Sequence, residues 1–357
     1  MENHWLLYAG GTGLAFLIAY LAVPLAAKLA FRLGAIDEPD SRKVHRKPMP
    51  RLGGLAIFAG FMAAVLVLVK VQGPYEGIII GGIIIFLVGV LDDIFGLSPW
   101  SKLLGQVVAA AAAIHAGVNV HFMTNPFDGM IYLGKMSIPL TMLWIIGITN
   151  AVNLIDGLDG LAAGVSGIAA LTLAIVALRE DQWLAAGVAF ILVGAVVGFL
   201  PHNFHPARIF MGDAGALFLG FVLSCLAVVG LAKSAAIISL FVPIVVLGIP
   251  IFDTLFAIVR RLNKKAPIFK PDREHLHHRL MALGYNHRQS VLIIYGVSIF
   301  FGAIAVILTY VTSPQATLIL SVLLVLVMLG AGRVGIVSPR RREPGTLPGN
   351  STRPMKM

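Results

Sequence analysis

Long apolar runs, interrupted at intervals by short polar segments, make up nearly the whole chain. Eleven runs can be read, over about 5–28, 54–71, 77–91, 103–119, 137–150, 161–178, 183–200, 214–231, 236–258, 290–311 and 316–332. A helix that crosses hydrocarbon needs roughly 17 to 25 apolar residues. The runs at 77–91 and 137–150 are short for that, so ten or eleven crossings are expected. The pattern predicts an all-α, polytopic integral membrane protein. It shows no internal repeat of the kind found in inverted-repeat transporters.

Composition strengthens this picture. Of 357 residues, 58% are hydrophobic and only 12% charged, against about 25% charged in soluble domains, and the mean hydropathy is +0.90. The single Cys225 lies inside a run and excludes an intrachain disulfide. The opening MENHW carries Glu2 and no Lys or Arg, unlike the basic start of a cleaved signal. Lys28 and Arg32 follow the first run, which predicts an outside N-terminus and a cytoplasmic C-terminus. With that orientation, 22 Lys and Arg fall on the inner side and 4 in the outer connections. The expected organisation is one transmembrane domain over 1–332, with inner connections at 32–53, 92–102, 150–160, 201–213 and 259–289. Residues 333–357, rich in Pro, Gly and Arg, are expected to be a disordered basic tail suited to anionic lipid.

The polar clusters all fall in those inner connections. LDDIFG sets Asp92 and Asp93 side by side at a helix end. Adjacent carboxylates ionise together only beside a cation, so the pair reads as a Mg²⁺ or phosphate site, or else as a solvated helix end. Gly96 stands where the Asp-rich motif of soluble prenyl synthases needs a third Asp, which argues against ionisation of an allylic diphosphate. In NAVNLIDGLDG, Asn150, Asn153, Asp156 and Asp159 recur every third residue. A helix turns 300° over that step, so the four share no face. Gly157 and Gly160 predict a loosened end that aims Asn153, Asp156 and Asp159 at one point; a plain Asn/Asp/Gly turn is the alternative.

HNFHPARIFMGDAG offers Asn203, Phe210 and Asp213, the last also readable as an ordinary helix cap. His202 and His205 are spaced as a weak metal pair, although hydrogen bonding alone accounts for such histidines. PIFKPDREHLHHRL brings Arg273, His275, His277 and His278 into a basic connection suited to phosphate, and no zinc-protease HExxH occurs. RKVHRKPMPRLGG adds Lys43 and His45, and Lys102 follows LSPW at a helix start. Asp253 lies within a run, where an acid is a functional candidate by default. The chain has no Ser/His/Asp arrangement, reactive Cys or Walker loop. Carboxylates with surrounding cations at a membrane surface suit Mg²⁺-assisted phosphoryl transfer to an acceptor with an apolar tail.

LDD…GLSP, NAVNLIDGLDG, ARIFMGDAG and HLHHRL, in this order, resemble the polyprenyl-phosphate N-acetylhexosamine-1-phosphate transferases over about 32–285. The resemblance implies transfer of N-acetylglucosamine-1-phosphate from UDP-N-acetylglucosamine to undecaprenyl phosphate, with release of UMP. That is the first membrane step of a cell-envelope polymer, run from the cytoplasmic face of a bacterial plasma membrane. It implies Mg²⁺, with Mn²⁺ as a substitute, held by Asp213 with Asn153 and Asp92. Asp92 and Asp93 would position the lipid phosphate, bind metal or deprotonate the acceptor, and Asp156 matches an active-site acid. Asp159, Asn203 and Phe210 match positions near the uridine. His275, His277, His278 and Arg273 would hold the diphosphate or sugar, with Lys43, His45 and Lys102 as further substrate contacts. No nucleic-acid partner is implied, and a homodimer is compatible. The muramoyl-pentapeptide branch, which reads TPTMGG where this chain has MPRLGG, is the nearer alternative. A secondary transporter is the more remote one.

Overall fold

The computed structural model describes residues 6–39, 48–124, 130–231, 238–263 and 275–334. The chain is almost entirely helical. After a short π turn come α1 (Gly11–Leu33), α2 (Gly54–Leu68), α3 (Pro74–Phe95), α4 (Pro99–His115) and α5 (Ser137–Leu154). They are followed by α6 (Leu161–Arg179), α7 (Trp183–Asn203), α8 (Gly212–Leu231), α9 (Ile238–Val246) and α10 (Gly248–Asn263). The short α11 (Leu276–Ala282) precedes α12 (His287–Leu308) and α13 (Ser313–Val334). Eight of these helices are long and apolar enough to cross a membrane, which makes this a multi-pass membrane protein.

All eleven expected runs coincide with helix, but three differ in form. The runs at 77–91 and 137–150 extend to full-length helices because Asp92, Asp93, Asn150 and Asn153 remain helical. The run at 236–258 is split into α9 and α10 around Leu247 and Gly248. α2 and α4, at 15 and 17 residues, are shorter than the other spans. Two small antiparallel pairings also appear that no apolar run announces. β1 (Ile36–Asp37) pairs with β2 (Met49–Pro50), and β3 (Phe122–Thr124) pairs with β4 (Met130–Tyr132).

The bundle is built around α8, where Ala214 through Ala227 are buried almost without exception. α3 and α5 pack against it, and α1, α2, α6 and α7 form an adjoining layer. Between helices in lipid there is little hydrophobic driving force, so small residues and close approach carry the association. Here glycine makes the approach possible. A Cβ on Gly54 would lie 2.2 Å from the backbone nitrogen of Gly215, and one on Gly89 would lie 2.4 Å from Cα of Ala214. α2 and α3 therefore touch the first turn of α8 backbone to backbone.

Gly54→Val is expected to lower the thermal midpoint in detergent markedly, since neither backbone can yield; overpacking of this kind costs about 1–3 kcal/mol or more. Gly13→Ala in α1, where nothing lies within 4 Å of the added carbon, should leave the midpoint unchanged or higher. A thermal scan of the two variants beside wild type checks this, and equal midpoints would refute it.

Candidate functional site

The polar clusters converge where α3 and α5 end and α4 and α8 begin. Asp92 and Asp93 occupy the last turn of α3, which Gly96 closes in a left-handed conformation. Ser98 caps α4 by accepting from the Ser101 amide, and Pro99 sits in the first turn; this start orients Lys102. α5 stops at Leu154 and α6 begins after Gly160, which has φ 77°. The turn between them carries Asp156, Gly157 and Asp159.

Backbone pairing registers the remaining segment. The amide of Phe210 donates to the Pro50 carbonyl (2.9 Å). In return, the amides of Gly53 and Gly54 donate to the carbonyls of Phe210 (2.9 Å) and Met211 (2.8 Å). MPRLGG and ARIFMGDAG are thus joined by three backbone hydrogen bonds beside Gly212, φ 72°. A Cβ there would lie 1.9 Å from the Arg51 carbonyl oxygen, so only glycine fits.

The two adjacent aspartates do different work. Asp93 Oδ1 accepts from the Asp213 amide (2.9 Å) and Oδ2 from the Ala214 amide (3.0 Å), so this carboxylate caps α8 from another helix. Arg51 stands 3.7 Å away. Asp92 points elsewhere. Its Oδ1 accepts from the Leu97 amide (2.7 Å) and its Oδ2 pairs with Lys102 Nζ (2.5 Å). The same Nζ reaches Asp213 Oδ2 (2.6 Å), and Asp213 Oδ1 accepts from Asn153 Nδ2 (2.9 Å). One ammonium therefore bridges two carboxylates.

Beside this bridge lies a cleft of about 260 Å³. It is lined by Asp156, Asp159, Asp213, Arg51, Phe210 and Asn203, together with Asp37 and the Gly157–Leu158 and Met211–Gly212 backbone. Burial, and then the charges of Asp213 and Asp93, push the Asp156 carboxyl up to about 8, with Arg51 opposing. Asp159 Oδ2 accepts from the Ala207 amide (3.1 Å) and meets His205 Nδ1 at 2.9 Å. His287 stacks on His205, and the three side chains bring ligand atoms within 4.8 Å of one another. Asn203 is buried and its amide is committed to backbone: it accepts from the Gly160 amide and donates to the Ile209 carbonyl, both at 3.0 Å. It ties two clusters together rather than offering itself to a ligand.

His277 of α11 presses on the Asp156 turn. A Cβ on Gly157 would lie 2.6 Å from His277 Nε2. Burial first, then His278, pushes the His277 ring down to about 3, so it is neutral. His278 lies against His277, with ring centroids 4.2 Å apart, and His275 is buried on Asp253.

Of the expected site residues, Asp92, Asp93, Lys102, Asn153, Asp156, Asp159, Asn203, Phe210 and Asp213 come together here, with His275, His277 and His278 on the adjoining α11. Lys43, His45 and Arg273 lie outside the described residues. Asn150 departs from its three companions: it exchanges two hydrogen bonds with Gln106 of α4, at 2.6 and 3.1 Å. The 300° step explains this, since Asn150 faces the neighbouring helix while Asn153 faces α8. Asp37 lines the cleft from outside the expected set, and Arg51 does so from RKVHRKPMPRLGG, where Lys43 and His45 are the residues expected to bind. Gln106, an amide in an alanine-rich helix, was a readable signal.

Carboxylates, an ammonium and a guanidinium around a cleft at one end of a helical bundle define a membrane enzyme for charged, phosphorylated substrates. The chain belongs to the polyprenyl-phosphate N-acetylhexosamine-1-phosphate transferase family. The glycosyl transferase family 4 model matches residues 75–231, from α3 through α8. The chain is 44% identical to the probable undecaprenyl-phosphate N-acetylglucosaminyl 1-phosphate transferase of Bacillus subtilis, over 91% of this chain and 93% of that one. It is 36% identical to the decaprenyl-phosphate N-acetylglucosaminephosphotransferase of Mycolicibacterium smegmatis, over 92% and 88%. It is also 32% identical to the phospho-N-acetylmuramoyl-pentapeptide-transferase of Desulforudis audaxviator, over 80% and 93%.

The Asp156 carboxyl carries a stability signature. Its folded value of about 8 exceeds the unfolded value of about 3.9, so the folded state holds its proton more tightly. The stabilisation this gives is complete below the unfolded value and is lost as pH rises through about 8. In buffer free of divalent cations, the wild-type midpoint should fall more steeply between pH 6 and 9 than that of Asp156→Asn. Parallel slopes would refute it.

Proposed function

We propose that this protein transfers N-acetylglucosamine-1-phosphate from UDP-N-acetylglucosamine to undecaprenyl phosphate, releasing UMP. The observation that carries the reading is the Asp92–Lys102–Asp213 bridge beside a cleft rich in carboxylates. It is supported by family membership and by the activities that the Bacillus and Mycolicibacterium relatives are named for. The orientation proposed has eleven crossings, an outside N-terminus and the cleft on the cytoplasmic side, as the Lys and Arg asymmetry favours.

The reaction exchanges one phosphoanhydride for another. An oxygen of the lipid phosphate attacks the sugar-bearing phosphorus; the bond from that phosphorus to the bridging oxygen breaks, and UMP leaves with the oxygen. Above its second pKa of about 6 the lipid phosphate is already largely dianionic, so the attack needs no general base. Direct displacement therefore suffices. The protein must align three phosphates and offset their charge. Lys102 offers an ammonium to the attacking phosphate, and Arg51 stands at the cleft wall. Phe210 offers a flat face to the uracil, and the neutral His277 holds the Asp156 turn from behind.

Four of the cleft-lining side chains, Asp37, Asp156, Asp159 and Asp213, are acids, and Arg51 is the one cation among them. A diphosphate enters such a cleft only with added positive charge. Asp213 and Asp92, held by one ammonium, with the Asn153 amide carbonyl, offer oxygen donors of the kind that suits Mg²⁺, which takes few protein ligands beside substrate phosphates. Once bound, the ion would supply charge neutralisation for the transferring phosphoryl group and the departing UMP.

The test is UMP release by purified protein with Mg²⁺ and undecaprenyl phosphate, comparing UDP-N-acetylglucosamine with other UDP-sugars and with UDP-N-acetylmuramoyl-pentapeptide. Turnover with the pentapeptide nucleotide alone would overturn the sugar assignment. Asp213→Asn should lower kcat by roughly 10²–10³-fold or more while the protein inserts and melts normally. Unchanged turnover would remove Asp213 from the site.

A further inference from the structure

Asp253 is a carboxylate enclosed in an otherwise apolar region. It is 5% exposed and borders a groove lined by Phe252, Phe256, Ile294 and Phe301. An acid is placed in such surroundings only with full compensation. Asp253 has it. Oδ2 meets His275 Nδ1 at 2.9 Å, and Oδ1 accepts from the backbone amide of Leu276 at 2.8 Å.

Leu276 is the first residue of α11, a helix of only seven residues. Helices so short do not hold themselves together in isolation, and the cap position, His275, gives this one no side-chain cap. The cap comes instead from α10, through Asp253. The same carboxylate fixes which way the His275 ring lies and which nitrogen faces it, as carboxylate partners of functional histidines do. From that fixed start the geometry passes inward. The rings of His275 and His277 lie 4° from parallel with centroids 6.0 Å apart, and His277 sits on Gly157 of the turn carrying Asp156. His277 Nε2 is buried without a hydrogen-bond partner, so packing rather than a polar contact determines where it rests.

We propose that Asp253 is a positioning residue for the cleft: its carboxylate fixes the His275 ring and the first turn of α11, and thereby sets where His277 bears on the Asp156 turn. This deepens the transferase reading and rests on it for its kinetic consequence, though not for its structural one. Asp253 touches no reacting atom. Its removal loosens the wall behind the cleft and leaves the uracil face at Phe210 in place.

Three variants and two readouts test it. Asp253→Ala removes both acceptors, Asp253→Asn keeps one amide acceptor without the charge, and Asp253→Glu restores the carboxylate on a longer arm. With UDP-N-acetylglucosamine as donor, Ala and Asn are expected to lower kcat about 10–100-fold, as losing an orienting partner does at other sites. The donor KM should stay within about threefold, and Glu should recover part of kcat. In protein labelled with ¹⁵N-histidine, the wild-type His275 signal should report a proton on Nδ1, and Asp253→Ala should shift that one ring toward the other tautomer. Wild-type kcat in Asp253→Ala, equal losses in Ala and Glu, or an unmoved His275 signal would each overturn the proposal. Should wild-type protein release no UMP from any UDP-sugar, the transferase reading fails alone, and the His275 signal still decides the role of Asp253.

Discussion

The structure depends on a single carboxylate at the head of α8. Asp93 lies in the last turn of α3 with no exposed side-chain surface, and it takes the second and third amides of α8, those of Asp213 and Ala214, as its partners. A helix N-terminus presents unpaired N–H groups and partial positive charge, and an anion placed there answers both. Either half alone would be costly, because a buried carboxylate without donors and buried amides without an acceptor each carry a desolvation penalty. Together they fix the end of α3 against the start of α8. The glycines at 54, 89 and 212 then let three backbones meet around that point. Asp213 is the second residue of α8, so the contact that holds the bundle also locates the acid most central to the site.

Charge balance follows from this. With Asp93 satisfied by backbone, Lys102 serves Asp92 and Asp213 together. Burial, and then the neighbouring carboxylates, push the Asp156 carboxyl up to about 8. The cleft is short of positive charge in its resting state. The Mg²⁺ proposed above would offset this excess of acids over Arg51 and Lys102.

Much of the fold is written in run lengths, because a crossing helix must satisfy its whole backbone internally and exclude charge. The break between α9 and α10 is not legible that way, since an apolar run looks the same whether continuous or kinked at Leu247. The β1–β2 pairing is two residues long and leaves no pattern to read. The residues that line the cleft were legible because polar side chains stand out against hydrocarbon, but the partners of each were not. Asp92 and Asp93 look equivalent in sequence, yet neighbouring residues on a helix point about 100° apart; one caps α8 and the other meets Lys102. Asn150 shares the spacing of Asn153 but faces α4, where Gln106 completes it.

The acids therefore divide by what their oxygens already hold. Asp93 caps α8, and Asp253 caps α11 while holding His275. Asp159 accepts from Ala207 and meets His205. Each of these fastens a polar connection to an element distant in sequence, which hydrophobic packing between helices in lipid cannot do with comparable directionality. Asp92, Asp156 and Asp213 are the remainder. Two of them share one side-chain ammonium, and burial with neighbouring charge pushes the third up to about 8, so none of the three is spent on capping a helix.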